Sequence, residues 1–343
     1  MFNRGKSSGY RLTFLAALLL LLTILAGGYY FQRKYAGPHT RERLVYLKKE
    51  DRELALHWFR PAKPNGLGLV YIISGAWYSS EENIFPVMFK KHMKAGYSVF
   101  AVVHSAQPKS QIPEMIQEVH TAVRFVRANA GRFQINPDKL GVTGSSAGGH
   151  LSLVLATGLG GSETNKPTSS SVQAVACFYP PTDFLNYGAE GNEALGLGPL
   201  SGLSGAFWVV TQTNQVDRQE YGREISPIYH VHSNLPPILI IHGTSDEVVP
   251  YQQAVSFAEK ARAMGNTVEL VTKTNFGHGW RDSSNEIDLI LAWFDRWLKP
   301  ETNRPAKGVD MIKGLSNSSS GNVHTFVPKR DSNRFCRNWQ GHF

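Results

Sequence analysis

The 343-residue chain is 42% apolar and 18% charged, which fits a globular protein with a sizeable core in one large domain or two smaller ones. Its formal charge of +9 comes from the two ends of the chain. Residues 1–49 contribute +8 and residues 301–343 contribute +4, so residues 50–300 carry about −3. A nucleic-acid-binding domain concentrates positive charge on its folded surface, so this distribution argues against nucleic acid as a partner.

The N-terminal segment, residues 1–34, has the pattern of a signal anchor or a signal peptide. Three basic residues among the first eleven precede an apolar run over residues 12–31, which is long enough to span a bilayer as a helix. Small residues at Ala26-Gly27-Gly28 also permit cleavage, which would give a secreted or periplasmic protein. The membrane anchor is the favoured alternative, and both alternatives predict a folded domain outside the cytoplasm.

Residues 35–50 are rich in charge and predict a linker, so the folded domain is expected over residues 51–299. Apolar runs of strand length alternate there with helical patterns. The predicted strands are residues 54–60, 68–73, 98–103, 140–143, 172–179, 238–241 and 268–272. The predicted helices are residues 84–95, 112–128, 147–157, 251–264 and 286–298. This alternation predicts an α/β fold with a mostly parallel sheet and helices on both faces.

Two stretches depart from the alternation. Residues 184–235 are rich in glycine around residues 196–202 and predict an insertion over the carboxyl edge of the sheet, either a lid or a plain surface excursion. Residues 300–343 are polar, partly Ser-rich and without apolar periodicity, which predicts a disordered tail.

The segment Gly144-Ser145-Ser146-Ala147-Gly148 lies between a predicted strand and a predicted helix. A tight strand-to-helix turn with glycines on both sides exposes a serine hydroxyl above a parallel sheet. Ser146 is therefore the predicted nucleophile. The amide of Ala147, in the first helical turn, is a predicted donor to a developing oxyanion.

A serine hydroxyl needs a base to take its proton, and the base needs an acid that fixes its tautomer. Asp246 follows the predicted strand at residues 238–241, and His278 follows the last predicted strand between two glycines. We predict these two residues as the acid and the base. The competing side chains fit less well in register or position: His150, His230, His232, His242, Glu247 and Asp282.

Metal chemistry is not predicted. His230 and His232 form an H-x-H pair without an obvious third ligand, and the two cysteines, Cys177 and Cys336, cannot build a Cys-rich zinc site or a disulfide framework. Acyl transfer by a serine nucleophile requires no metal or organic cofactor.

The loop after the strand at residues 68–73 is the expected source of a second oxyanion donor. Gly75 and Ala76 are the candidates, because small residues let the backbone approach a substrate carbonyl, and Ala76 is slightly preferred. Trp77 follows them and either lines the substrate pocket or packs on the loop.

Four segments together resemble a known group of enzymes. They are Ser-Ser-Ala-Gly-Gly-His-Leu at residues 145–151, Tyr-Pro-Pro-Thr-Asp at residues 179–183, His-Gly-Thr-Ser-Asp-Glu-Val-Val-Pro at residues 242–250 and Ile-Asn-Pro-Asp-Lys at residues 135–139. The chain resembles α/β-hydrolase esterases related to feruloyl and acetyl-xylan esterases and to the hormone-sensitive-lipase group over about residues 55–298. The resemblance implies the α/β-hydrolase fold and hydrolysis of a carboxylic ester.

Two positions depart from the pattern of that group. Ile73-Ser74 replaces the His-Gly that usually opens the oxyanion loop, and Ser145 replaces the usual acid before the nucleophile. Neither change removes a predicted catalytic group, although the oxyanion loop needs a different support.

The sequence thus predicts a serine esterase acting on short-acyl or small aromatic esters, of a small molecule or of a polysaccharide, through an acyl-enzyme intermediate. Two alternatives remain. A prolyl-oligopeptidase-type peptidase shares the fold and the order of the triad but usually carries a large N-terminal propeller, for which residues 35–50 leave no room. A catalytically silent, membrane-tethered binding protein would account for the altered oxyanion loop.

Overall fold

A nine-stranded sheet forms the centre of the described part of the protein. The computed structural model describes residues 40–161, 167–196, 198–207, 215–300 and 323–325. The strands are β1 (Thr40–Lys48), β2 (Glu53–Arg60), β3 (Gly68–Ile73), β4 (Ser98–Val103), β5 (Leu140–Ser145), β6 (Ala174–Phe178), β7 (Ile238–Gly243), β8 (Val268–Lys273) and β9 (Val323–Thr325). Their order across the sheet is β1-β2-β4-β3-β5-β6-β7-β8-β9.

The strands from β4 across to β8 are parallel, and antiparallel pairing is confined to the two ends of the sheet. β3, β4, β6 and β7 are buried along their whole length. Continuous apolar runs are typical of parallel strands that helices cover on both faces. The predicted α/β class with a mostly parallel sheet is confirmed.

Helices cover both faces of the sheet. They are α1 (Lys90–Lys94), α2 (Ile112–Ala128), α3 (Ala130–Phe133), α4 (Ala147–Thr157), α5 (Gln215–Ile225), α6 (Gln252–Ala263) and α7 (Ser284–Leu298). Apolar side chains of α2, α4 and α6 pack on one face, and those of α1 and α7 pack on the other. The predicted bounds of α2 and α4 agree with the structure, and α2 buries the apolar face whose spacing predicted it.

The predicted linker is wrong over Thr40–Lys48, because these residues form β1, the edge strand. Leu44 and Tyr46 point into the core while charged neighbours remain at the surface. An antiparallel edge strand with one solvated face shows such alternation, and the many charges concealed it. The folded domain therefore includes residues 40–48, which precede the predicted start at residue 51.

Two further expectations need correction. The predicted helix at residues 84–95 is a 3₁₀ helix, Pro86–Phe89, followed by α1. Pro86 starts the helix because its fixed φ suits a first turn.

Val323–Thr325, within the predicted disordered tail, pairs with the open edge of β8. Three residues are too few to give a detectable pattern.

The described part of the predicted insertion, residues 184–235, packs on the loop after β3 and on α4, where Phe184 contacts Trp77 and His150. It contains two 3₁₀ helices, Gly198–Phe207 and Pro227–His230, and α5 between them. Phe184 and Phe207 are fully buried, so part of the insertion belongs to the core.

The N-terminal segment at residues 1–34 lies outside the described residues. Within the ranges that the structure describes, no helix combines the length and the hydropathy needed to cross a bilayer.

Candidate active site

The turn from β5 to α4 holds Ser146 in a backbone conformation that side chains rarely adopt, with φ 54° and ψ −121°. Two glycines permit this turn. A Cβ on Gly144 would lie 2.5 Å from the backbone of Gly148, and a Cβ on Gly148 would lie 2.7 Å from the Ile72 carbonyl oxygen. The backbone crowding predicted from the sequence is present, and it lifts the Ser146 hydroxyl to the carboxyl edge of the sheet.

The same turn prepares an anion site at the start of α4. The Ser146 amide donates to the Phe178 carbonyl at 3.0 Å, and the Ser146 carbonyl accepts the first helical bond, from the His150 amide at 2.8 Å. Amides of a first helical turn have no intrahelical acceptor, and the helix dipole adds positive potential there. Ala147 is the first residue of α4 and directly follows Ser146, so its N–H stays a predicted oxyanion donor.

Three side chains from separate loops meet at this edge. His278 Nε2 lies 3.0 Å from Ser146 Oγ, and His278 Nδ1 lies 2.8 Å from Asp246 Oδ2. A carboxylate only accepts hydrogen bonds, so Nδ1 carries the ring proton and Nε2 is free to accept the serine proton. The predicted serine, histidine and aspartate form the hydrogen-bonded chain that proton abstraction from a serine requires.

Asp246 is buried and heavily hydrogen-bonded. Its Oδ1 accepts the amides of Val248 and Val249, both at 2.9 Å, and His242 Nε2 lies 3.2 Å from its Oδ2. Burial alone would raise the pKa of Asp246, but the hydrogen bonds from His242, His278 and Val249 outweigh burial and hold this pKa well below its usual value. The carboxylate thus stays ionised at ordinary pH.

His242 is a functional neighbour that sequence reasoning placed only beneath the site. It is fully buried, and its Nε2 also lies 2.9 Å from the Val249 carbonyl oxygen. Both neighbours of Nε2 are acceptors, so Nε2 carries the proton. The position of His242 at the end of β7, four residues before Asp246, was the available signal.

A network of aromatic and charged side chains holds the loop that carries His278. Lys273 Nζ lies 2.5 Å from Glu286 Oε1 and 5.6 Å from the centroid of the Trp280 ring. Trp280 Nε1 donates to Glu286 Oε2 at 3.2 Å. The Tyr179 ring lies 4.5 Å from the His278 ring and contacts Trp280. No sequence pattern predicted this network, because its members come from β8, α7 and the loops after β6 and β8.

The structure of the oxyanion loop, defined as residues 73–78, excludes one of the two oxyanion donors predicted there. The Gly75 amide donates to the Tyr78 carbonyl at 3.0 Å, so it has no proton left for a substrate oxygen. Ala76 stays a candidate, with φ 50° and partial exposure.

Trp77 packs on the loop and does not line an open pocket. Its side chain is 2% exposed and contacts the rings of His150, Phe184 and Phe207. The predicted role of Trp77 in the substrate pocket is therefore wrong, and the other alternative holds, because the insertion covers this side chain.

The competing side chains lie in other environments. His230 Nε2 donates to the Arg223 carbonyl at 2.9 Å, and His232 Nδ1 accepts the Asn234 amide at 3.2 Å. Asp282 accepts the Ser284 amide at the start of α7. Among the residues that the structure describes, no group of three or more His, Cys, Asp or Glu side chains has an arrangement that would hold a metal ion.

Comparison with known proteins assigns the chain to a family. The model of the BD-FAE family matches residues 60–261, more than half of the chain. The chain belongs to the BD-FAE family. The matched region includes Ser146 and Asp246 and ends before His278. The resemblance to α/β-hydrolase esterases predicted from the sequence is confirmed.

Curated relatives of this BD-FAE member are named as esterases. Esterase LipC of Mycobacterium tuberculosis is 31% identical over 256 residues, which is 71% of this chain and 60% of LipC. An acetylxylan esterase of Xylanibacter ruminicola is 30% identical over 280 residues, 80% of this chain and 53% of that protein. The chain thus spans only about half to three-fifths of the length of these relatives.

Solved structures share the fold of this BD-FAE member. A truncated form of a carbohydrate esterase from gut microbiota superimposes with a TM-score of 0.63 at 23% identity, over 74% of this chain and 95% of that chain. The fold of the chain is the α/β-hydrolase fold.

Proposed function

We propose that the protein is a serine carboxylic-ester hydrolase in which Ser146 is the nucleophile, His278 the base and Asp246 the orienting acid. The hydrogen-bonded chain Ser146–His278–Asp246, with distances of 3.0 Å and 2.8 Å, carries this proposal. Membership of the BD-FAE family and the esterase names of the relatives support it.

Acylation begins when Ser146 Oγ attacks the ester carbonyl carbon while its proton moves to His278 Nε2. The ionised Asp246 stabilises the imidazolium that forms, and the low pKa of Asp246 keeps the acid in that state. His278 then gives its proton to the leaving alcohol, which leaves an ester on Ser146. Water attacks this ester, His278 takes the water proton, and transfer of that proton back to Ser146 releases the carboxylic acid.

Negative charge develops on the carbonyl oxygen in both steps. The amides of Ala147 and Ala76 are the proposed donors to it. Ala147 has the helix dipole behind it, and Ala76 lies on the oxyanion loop. Each such donor contributes about 3–4 kcal/mol to stabilising the transition state.

A small cavity beside the triad supports short acyl groups or small aromatic groups as substrates. It has a volume of about 100 Å³, room for about three water-sized groups, and is lined mainly by apolar side chains. Ser145 and Tyr179 border it, and these residues adjoin Ser146 and the His278 ring. Met88 and Ile287 also line it.

A second cavity supports a hydroxyl-rich alcohol, such as a polysaccharide, as the other half of the substrate. It has a volume of about 400 Å³. Tyr78 of the oxyanion loop and Gln107 beside that loop are among the residues that line it. Ser79, Ser80 and Asn83 supply polar groups, and the Tyr78 ring is 48% exposed. The acetylxylan and carbohydrate esterases among the relatives and neighbours support the same substrate class.

Hydrolysis of p-nitrophenyl acetate, butyrate and octanoate by the full chain tests the reaction class, with Ser146→Ala as control. We expect turnover of the two shorter esters to exceed that of octanoate at least tenfold and to disappear in the control. Turnover of a dipeptide amide but of no ester would instead identify the peptidase, and failure to react with any of them would contradict the proposal.

Hydrolysis of acetylated xylo-oligosaccharides tests the proposed alcohol half of the substrate. They should be hydrolysed with a higher kcat/KM than p-nitrophenyl acetate, and Tyr78→Ala should raise the KM for the oligosaccharide alone. An oligosaccharide ester that is hydrolysed no faster than the simple ester would contradict the polysaccharide part of the proposal.

We also propose that residues 1–34 anchor the protein in a membrane with the catalytic domain outside the cytoplasm. The apolar run at residues 12–31 and its basic flanks support this location. Thr40 pairs with Arg60 at the amino edge of the sheet, opposite Ser146, so a tether there would turn the triad away from the bilayer. Alkaline extraction of membranes should leave the protein in the pellet, and protein released into the supernatant would contradict the anchor.

A further inference from the structure

The oxyanion loop contains two successive residues in the left-handed region, Ala76 with φ 50° and Trp77 with φ 59°. Residues other than glycine adopt this backbone only when their surroundings hold it. The first half of the loop offers little support, because Ser74 Oγ has no hydrogen-bond partner in the described part of the chain, and Gly75 and Ala76 have no polar side chain. Besides the backbone turn between Gly75 and Tyr78, the support comes from residues outside the loop.

Gln107, in the loop after β4, supports one side of the oxyanion loop. Its side-chain Nε2 donates to the Ala76 carbonyl at 2.8 Å, and its backbone amide donates to the Trp77 carbonyl at 3.2 Å. Gln107 is itself 5% exposed. These two bonds fix successive carbonyls of the strained pair, and therefore the planes of both peptides.

The closing turn then sets the direction of the Ala76 amide. The Gly75 carbonyl accepts the Tyr78 amide at 2.8 Å, inside the turn. In a trans peptide the N–H points opposite to the carbonyl. The Ala76 N–H, in the same peptide, is therefore directed out of the turn.

His150 supports the opposite side through Trp77. His150 is fully buried, and its Nε2 donates to the Ile225 carbonyl at 2.7 Å. Its Nδ1 must then accept, and Trp77 Nε1 donates to it at 3.3 Å. Ile225 ends α5, so His150 links the insertion at residues 184–235 to the oxyanion loop by hydrogen bonds, in addition to the ring contacts of Trp77 with Phe184 and Phe207.

We infer that Gln107 and His150 are positioning residues that hold the Ala76 amide as an oxyanion donor, and that the insertion supports the oxyanion loop through His150. They take over a support that Ile73-Ser74 does not provide. This inference rests on the proposed esterase function. It assigns the insertion a role in catalysis whether or not it also moves as a lid.

Steady-state kinetics of Gln107→Leu on p-nitrophenyl acetate tests the inference. Loss of one oxyanion donor lowers kcat by about 10²–10³, and partial misplacement lowers it less, so we expect a fall of about 10- to 100-fold with KM within about twofold. Gln117→Leu is the matched control, because Gln117 Nε2 also donates to a backbone carbonyl, that of Gly160 at 2.7 Å, far from the site. It should retain wild-type kcat.

A readout of transition-state binding separates positioning from a general loss of structure. A trifluoromethyl ketone, which forms a tetrahedral adduct with the serine, should bind Gln107→Leu more weakly by the same factor as the fall in kcat/KM. The carboxylic acid product should bind equally well to both proteins. If Gln107→Leu does not fold, Gln107→Asn, whose amide is too short to reach Ala76, replaces it.

His150→Phe tests the other side. We expect a fall in kcat of similar size, and the double variant with Gln107→Leu should lose less than the product of the two single losses, because both act on one loop. Wild-type kcat in both single variants, or a rise in KM with kcat unchanged, would overturn the inference. Inactivity of the wild-type protein on every ester would instead overturn the proposed function.

Discussion

In the proposed mechanism the turn at Ser146 and the oxyanion loop act on the same substrate carbonyl, but different interactions hold them. The turn is held mainly by its sequence neighbours, because β5, α4 and the close contact of Gly144 with Gly148 constrain it. The oxyanion loop closes its own turn between Gly75 and Tyr78, but residues distant in the chain, Gln107 and His150, also hold it. Substitutions far along the chain should therefore disturb the oxyanion loop and leave the turn intact.

Asp246→Asn should have the largest effect. It removes the orienting acid and leaves the backbone of the turn and of the oxyanion loop in place. An amide nitrogen facing His278 would favour the wrong ring tautomer, and we expect kcat to fall by about 10⁴ with little change in Tm. Steady-state kinetics and thermal unfolding measure the two quantities. A fall of less than about tenfold would show that Asp246 does not orient His278.

Gly144→Ala should break the turn by a local clash. The new Cβ would lie 2.5 Å from backbone atoms of Gly148, which cannot move as a flexible side chain could. We expect a loss of about 1–3 kcal/mol in stability and of at least about 10² in kcat. Gly131→Ala is the control, because a Cβ there meets nothing within 4 Å. Equal activity of the two variants would contradict this account of the turn.

Trp77→Phe should loosen the oxyanion loop and spare the turn. The variant keeps most of the ring packing but loses the Nε1 donor to His150. We expect kcat to fall about tenfold and the rate of covalent reaction with a small alkylating serine reagent, which develops no oxyanion, to change by less than about twofold. A parallel fall in both rates would show that the two regions are not independent.

His92→Leu changes stability and should leave both regions unaffected. His92 is buried between the rings of Tyr97 and Phe294, and neither ring nitrogen has a hydrogen-bond partner among the described residues. Burial lowers the pKa of His92 to about 4. The unfolded chain therefore binds the proton first as pH falls, so stability is lost between about pH 6.5 and pH 4.

The leucine variant cannot take up this proton. Relative to the wild type, it should gain up to about 3 kcal/mol in the free energy of unfolding as pH is lowered from 8 to 4, with unchanged kcat at pH 8. Urea unfolding at several pH values measures the difference. A constant difference between the two proteins across that range would contradict the low pKa.

The contrast between the locally constrained turn and the oxyanion loop, which distant residues support, also explains what the sequence could predict. The bounds of β3, β4, α2 and α4, and the position of Ser146, follow from apolar spacing and neighbouring glycines, which are local properties. Gln107 and Glu286 act on loops distant in the chain, so no local pattern identifies them. Gly75 is a small residue, which favoured it as a donor. Its amide instead closes the turn with Tyr78, and that turn is not visible in the composition of the loop.

The most direct test of the central claim is mass spectrometry of the protein quenched by acid during turnover of p-nitrophenyl acetate. We predict one acetyl group per chain, located on Ser146 by peptide mapping, and no acetyl group in Ser146→Ala. Turnover without a covalent intermediate, or an acetyl group on another residue that forms as fast as the ester is hydrolysed, would contradict Ser146 as the nucleophile.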